Sequence, residues 1–378
     1  MIIKDFKYIP KLDSIRFFAA LSVIVHHLEN GKNISGLSNI FGFNTIRNLG
    51  GHAVTIFFML SGFLITLLLL KEYQKTGKIE MKKFFLRRIF RIWPLYYFLV
   101  VLSFFVLPYF FSDQSLFGNK EDWAMTLILY ICFLPVIANK IFLGNRFSTQ
   151  LWSISIEEQF YLIWPLIVKK WIGNLGKAII WFVAIKIAFQ LLVYAICFLM
   201  LKYVPNHPWI EGLLVFKVFI KVLYVETMAI GAYGAYLIFN KKENVLKWIF
   251  NPAVEIATLI FFVALFFVNA MWPFVHPLVG MSGMILILNI VYNEKSILSF
   301  NTKLTDKLGK YSYGMYMYHN IIIFLCINNI IKLDLDNSIL FNVLLYVTVI
   351  VITILISMLS YKILETPFLK LKDKFANV

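Results

Sequence analysis

Two side chains near the start of the chain pose the chemical question. In LDSIRFFAALSVIVHH, which begins at Leu12, Arg16 and His27 stand eleven residues apart; at about 100° per residue that is three turns plus roughly 20°, so on a helix they share a face. His26 is turned about 100° from His27, and spacing therefore singles out His27 as the facemate of Arg16. An imidazole can take a proton from a hydroxyl, and a guanidinium can orient an anionic donor or stabilise developing negative charge. The two lie roughly 16 Å apart along the axis, so an extended substrate or a relay of other groups has to lie between them. The competing reading is structural: Arg16 snorkels to one interface and His27 is merely hydrogen-bonded near the other.

Other segments add to the set. LWSISIEEQFYLIWPL, from Leu151, brings Ser153, Ser155, Glu157, Glu158 and Gln159 together, and adjacent carboxylates in an apolar run need partners or protons. Either could orient His27 or hold its imidazolium form. KYSYGMYMYHNIII, from Lys310, sets His319 and Asn320 beside Tyr311, Tyr313, Tyr316 and Tyr318; an interfacial tyrosine belt explains the tyrosines but not His319. FFLRRIFRIWPLYY, from Phe84, groups Arg87, Arg88 and Arg91, half of the chain's six arginines. Lysines alone would satisfy topology, whereas guanidinium forks suit phosphate oxygens. Trp152, Ser155, Tyr161 and Tyr316 complete the candidates as substrate-binding residues. Glu226 reads as structural glue paired with Lys221 or Lys217, and Gly62 as a helix-packing glycine. Ser61, beside it, lacks the G-x-S-x-G setting of a nucleophile. Cys132, Cys197 and Cys326 are far apart in apolar contexts and form no metal spacing, so no metal site is expected.

These residues have to be held by elements that live in lipid. The chain is 60% hydrophobic and 15% charged, against about 25% charge in soluble domains. Apolar runs recur from Ile15 to Leu364, each of about 18 to 25 residues and long enough to cross roughly 30 Å of hydrocarbon. They lack period-two alternation, so helices rather than barrel strands are expected. The sequence therefore predicts an all-α polytopic transmembrane bundle of about ten spans: 15–32, 50–70, 92–112, 152–168, 178–201, 212–238, 252–270, 273–292, 311–331 and 338–362. Segment 123–143 is ambiguous and reads as a helix at the outer interface anchored by Trp123.

Charge orients this bundle. The net charge of +16 lies between apolar runs rather than along one stripe with interleaved aromatics, which argues for the positive-inside rule and against nucleic acid. Segment 71–91, with Lys71, Lys75, Lys78, Lys82, Lys83, Arg87, Arg88 and Arg91 against Glu72 and Glu80, is the strongest cytoplasmic anchor. Both termini are then expected in the cytoplasm. The N-terminus lacks an h-region and a cleavage site, so the first span is expected to be retained. No linker divides residues 1–378, and no internal repeat is evident, which weakens a transporter built from inverted halves.

Taken together the blocks resemble the bacterial membrane-bound acyltransferase 3 family. Its arginine and histidine of the first span look like Arg16 and His27, and its second-span signature looks like FFMLSGFLIT from Phe57. Its basic cytoplasmic loop looks like FFLRRIFRIWPLYY, its tryptophan-serine and glutamate block like WSISIEEQFYLIWPL from Trp152, and two late blocks like YSYGMYMYHNII from Tyr311 and YKILETPFLK from Tyr361. The matches run in order from Leu12 to Lys370. Departures are few: the family often has glycine where Ser14 and Phe17 stand, and tryptophan where Tyr318 stands.

The resemblance implies a membrane O-acyltransferase of the bacterial cytoplasmic membrane. Such an enzyme moves an acyl group, usually acetyl, from cytoplasmic acyl-coenzyme A to a hydroxyl of a surface glycan or lipid-linked sugar. The acyl-coenzyme A is a donor substrate rather than a permanently bound cofactor. Arg87, Arg88 and Arg91 would hold the donor phosphates, with His27 as candidate base and Arg16, Glu157, Glu158 and His319 assisting. Many members carry a fused extracellular esterase-like domain; none is expected within this chain, so a partner acting outside would be a separate protein. Direct transfer and an acyl-enzyme both stay open, as do the acceptor and the oligomeric state. The rival from another class is a secondary transporter or flippase of a polar substrate.

Overall fold

The computed structural model describes residues 10–111, 114–118, 121–142, 144–268, 274–298, 303–332 and 339–375, and every regular element among them is helical. The chain runs through α1 (Pro10–Ile34), α2 (Asn44–Thr76), α3 (Met81–Val101), the short α4 (Trp123–Ile131) and α5 (Pro135–Ile141), α6 (Leu151–Trp171) and α7 (Leu175–Tyr203). It continues with α8 (Ile210–Val222), α9 (Val225–Phe239), α10 (Glu243–Ile249), α11 (Pro252–Ala264), α12 (Val275–Tyr292), α13 (Lys303–Gly309), α14 (Ser312–Lys332), α15 (Ile339–Ser360) and α16 (Thr366–Asp373).

Among the described residues five helical stretches are long and apolar enough to cross a membrane, or six if α10 and α11, bent by 62°, form one span. This is a multi-helix membrane architecture, and length and composition alone account for fewer crossings than the ten apolar runs suggest. One stretch, Leu151–Tyr203, folds back on itself. Its α6 half follows α2, with Glu157 at Ser61 and Trp164 at Thr66; its α7 half returns along α9, with Gly176 against Tyr236 and Lys186 on Glu226.

Four expected elements come out differently. Run 212–238 is α8 and α9, broken at Leu223 and Tyr224; no Gly or Pro marks the break, and the Tyr224 ring fills a space between Phe58, Trp152 and His276. Segment 123–143 is two helices of nine and seven residues, separated by Phe133 at positive φ, each too short to span about 30 Å. Run 252–270 keeps helix only to Ala264, and its last residues lie outside the described ones. The span expected at 92–112 begins at Met81, so the basic run at Arg87 is the first turns of a helix rather than a loop.

At the centre stands α2, most of whose apolar stretch is buried. A side chain on Gly62 would strike the Met228 backbone of α9, and one on Gly231 the Met59 carbonyl. Small residues at a crossing let two helix backbones approach, which in lipid replaces the hydrophobic drive that water would supply. Gly62 is thus a packing glycine. α1 and α14 run parallel, with His27 beside His319 and Gly31 beside Ile327. These directions put segments 71–91, 241–247, 303–310 and 362–374 at one end of the bundle, here the basic end.

Candidate active site

A cavity of about 490 Å³ lies between α1, α2, α3, α6, α14 and the chain after α15. Its lining follows helix periodicity: Val54, Phe57, Ser61, Leu64, Leu68 and Lys71 form one face of α2, and Ser153, Glu157 and Tyr161 one face of α6. From Lys71 at the basic end to Val54 the lining descends seventeen residues of α2, about 25 Å at 1.5 Å each. Six cations (Arg16, Lys71, Arg88, Arg91, Lys310, Lys372) line it against three carboxylates (Asp13, Glu157, Glu365). An excess of positive charge inside a hydrocarbon-walled space is costly unless an anion enters it.

The charged groups are fixed by short contacts. Arg16 donates from Nη1 to Asp13 Oδ1 at 2.8 Å, one helix turn away. Ser61 Oγ donates to Glu157 Oε1 at 2.8 Å, and the Tyr161 hydroxyl lies 2.9 Å from Glu157 Oε2 and 3.0 Å from Ser61 Oγ. Arg16 and Arg91 are both within electrostatic reach of the Glu157 carboxylate. The Arg88 guanidinium stands 6.0 Å over the Tyr161 ring, and its Nε is buried without a hydrogen-bond partner among the described residues. Deeper in, the Tyr316 hydroxyl pairs with Ser153 Oγ at 2.7 Å.

The structure gathers some of the sequence candidates and separates others. Arg16, Arg88, Arg91, Glu157, Tyr161 and Tyr316 all line the cavity. Arg87 does not: its guanidinium pairs with Glu72 of α2 at 2.8 Å and donates to the Phe375 carbonyl, tying α2, α3 and the C-terminal segment together. Glu158 is turned about 100° from its neighbour and accepts from Trp93 Nε1 at 3.2 Å. Ser155 donates to the Trp152 carbonyl of its own helix, and Trp152 packs on Phe58 and Tyr224. None of these four is in the cavity lining.

His27 also lies outside the lining, beyond the buried Ala20, Val23 and Ile24 that follow Arg16. It meets His319 at a ring separation of 4.9 Å, and His319 meets Tyr316 at 5.6 Å. Tyr316 is the wall between cavity and histidines. His319 Nδ1–H donates to the Tyr316 carbonyl at 2.6 Å, while its Nε2 is buried and unpartnered among the described residues. Tyr316 and Tyr318 are buried and bonded to Ser153 and Ser360, so they are interior groups rather than an interfacial belt. Glu226 pairs with Lys186 at 2.7 Å, not with Lys221 or Lys217.

Sequence reasoning did not single out Glu365, a carboxylate inside the last helical stretch whose Oε1 is buried and unpartnered among the described residues. Its signal was present, as an acidic residue straight after an apolar run, in LETPF. Among the described residues no group of three or more His, Cys, Asp or Glu side chains could hold a metal ion.

Helical spans around a buried cavity with more cations than carboxylates define the class: a multi-pass membrane protein with a polar interior. The acyltransferase-domain profile of the acyltransferase 3 family matches residues 9–362, and the chain belongs to that family. It is 29% identical over 388 residues to the peptidoglycan O-acetyltransferase OatA of Listeria monocytogenes, covering 96% of this chain and 56% of that protein. A Staphylococcus aureus strain COL protein is 28% identical over 389 residues, 97% of this chain and 58% of its own length. The O-acetyltransferase OatA of Staphylococcus aureus strain NCTC 8325 is 38% identical over 180 residues, 44% of this chain and 27% of that protein. The chain thus spans little more than half the length of the relatives matched end to end. No solved structure matches it.

Proposed function

We propose that this protein is a multi-pass membrane O-acyltransferase that takes an acyl group, acetyl in the first instance, from acyl-coenzyme A at its basic end. The acceptor is a hydroxyl of a cell-envelope glycan or lipid-linked sugar. The observation that carries this reading is the cavity, with cations at its mouth and a hydrogen-bonded carboxylate within. Arg88 and Arg91 supply forks for the pyrophosphate and 3′-phosphate of the donor, with Lys71 and Lys372 as further point charges. The pantetheine arm then points the thioester toward Glu157. Arg16, held by Asp13, faces the same space and would stabilise the oxyanion as the thioester carbonyl becomes tetrahedral. The name of the Listeria relative, a peptidoglycan O-acetyltransferase, makes peptidoglycan the first acceptor to try.

His27 and His319 form the far end of the site. With Tyr316 between them and the cavity, they act on an acceptor that approaches from the opposite end of the bundle, His27 taking the hydroxyl proton. The positive-inside rule makes the basic end cytoplasmic. Proteoliposomes given labelled acetyl-coenzyme A and crude surface glycans should pass label to glycan. Movement of glycan or donor across the bilayer with no label transferred would replace this reading with the transporter.

A further inference from the structure

We infer that Ser61 is a nucleophile of this reaction and carries the acyl group as an ester before the acceptor receives it. The inference rests on the acyltransferase reading and adds a covalent step to it. Ser61 lines the cavity from α2. Its Oγ–H is aimed at Glu157 Oε1, 2.8 Å away, and the Tyr161 hydroxyl is 3.0 Å from the same Oγ. A serine hydroxyl becomes nucleophilic when an adjacent base takes its proton and a third group orients that base; Tyr161, bonded to the other Glu157 oxygen at 2.9 Å, is that third group. No G-x-S-x-G turn is needed, because α2 and α6 crossing here supply nucleophile and base from two helices. Gly62 lets α2 lie against α9 and so fixes where Ser61 stands.

The step balances. Ser61 Oγ bonds to the thioester carbonyl carbon as its proton passes to Glu157; the carbon–sulfur bond then breaks, Glu157 returns the proton to sulfur, and free coenzyme A thiol leaves an acyl-serine. In the second half an acceptor hydroxyl attacks the same carbon and gives its proton to His27; the carbon–Oγ bond then breaks and that same proton is passed on through Glu157 to Ser61 Oγ, so that every group ends as it began. No further reagent enters. The covalent stage also explains how a donor at the basic end and an acceptor from the opposite end need not meet, since the serine lies between the Arg91 and Tyr316 walls of one cavity.

The test uses the purified full-length chain in nanodiscs with labelled acetyl-coenzyme A and no acceptor, followed by denaturation and peptide mass mapping. The wild type should hold about one acetyl per chain, on the peptide containing Ser61, released by mild base or by added glycan. Ser61→Ala should hold none while still binding coenzyme A, and Glu157→Gln should acylate about 100-fold or more slowly. Glycan acetylation with no label on Ser61 at any time, or with label on another residue, overturns the serine ester and leaves the acyltransferase reading standing. Absence of both label and glycan acetylation removes the two together. Should Ser61→Ala fail to fold, the wild-type peptide map alone decides.

Discussion

Arg87, Arg88 and Arg91 occupy one basic run, yet the helix that carries them divides their work. Arg88 and Arg91 face the cavity, and Arg87 binds Glu72 and the Phe375 carbonyl. A charged hydrogen bond is worth about 1.5 to 3 kcal/mol, which is roughly 10- to 150-fold in affinity. Arg88→Gln and Arg91→Gln should each raise the KM for acetyl-coenzyme A by about tenfold or more, with the acceptor KM unmoved, in steady-state assays varying one substrate at a time. Arg87→Gln should leave the donor KM alone and lower the melting temperature, because it strands the buried Glu72 carboxylate. His27→Ala should abolish glycan acetylation with helical content retained; near-normal turnover would remove His27 from the mechanism. The shared face of Arg16 and His27 was legible from spacing alone. What spacing hid was the Tyr316 wall between them, because it belongs to α14, some three hundred residues further along.

At the scale of elements, helix existence was legible and helix continuity was not. Apolar runs announce burial in lipid, but the run through 212–238 gives no sign of its break at Tyr224, which is set by rings on α2, α6 and α12. The basic run offered the opposite difficulty: charge suggested a loop, while the helix starts ahead of it at Met81. Glu226 finds Lys186 on α7 rather than a lysine on α8, for the same reason that tertiary neighbours leave no trace in local spacing. The α2–α9 crossing makes a quantitative prediction. Gly62→Ala forces a methyl against the Met228 backbone and should cost about 1 to 3 kcal/mol as overpacking, seen as a lower melting temperature in detergent. Gly212→Ala on α8, where an added Cβ meets nothing within 4 Å, should be neutral or stabilising by up to about 1 kcal/mol through helix propensity. Equal effects at the two glycines would show that the crossing does not hold the site.

Over the whole molecule, charge and cavity share a direction. Lysines and arginines collect at the end where segments 71–91, 303–310 and 362–374 meet, and the cavity begins there with Lys71, Lys310 and Lys372 before reaching Ser61, Glu157 and Tyr316. On the function proposed, the phosphates of the donor meet these cations first, so raised salt should weaken donor binding more than it weakens acceptor use. The most direct test of the account is acetyl transfer in sealed vesicles of known sidedness, with labelled acetyl-coenzyme A confined to one face at a time. Transfer to glycan should occur only when the donor is on the face that carries Lys71 and Arg91. Equal transfer from both faces, or transfer from the opposite face alone, would contradict it.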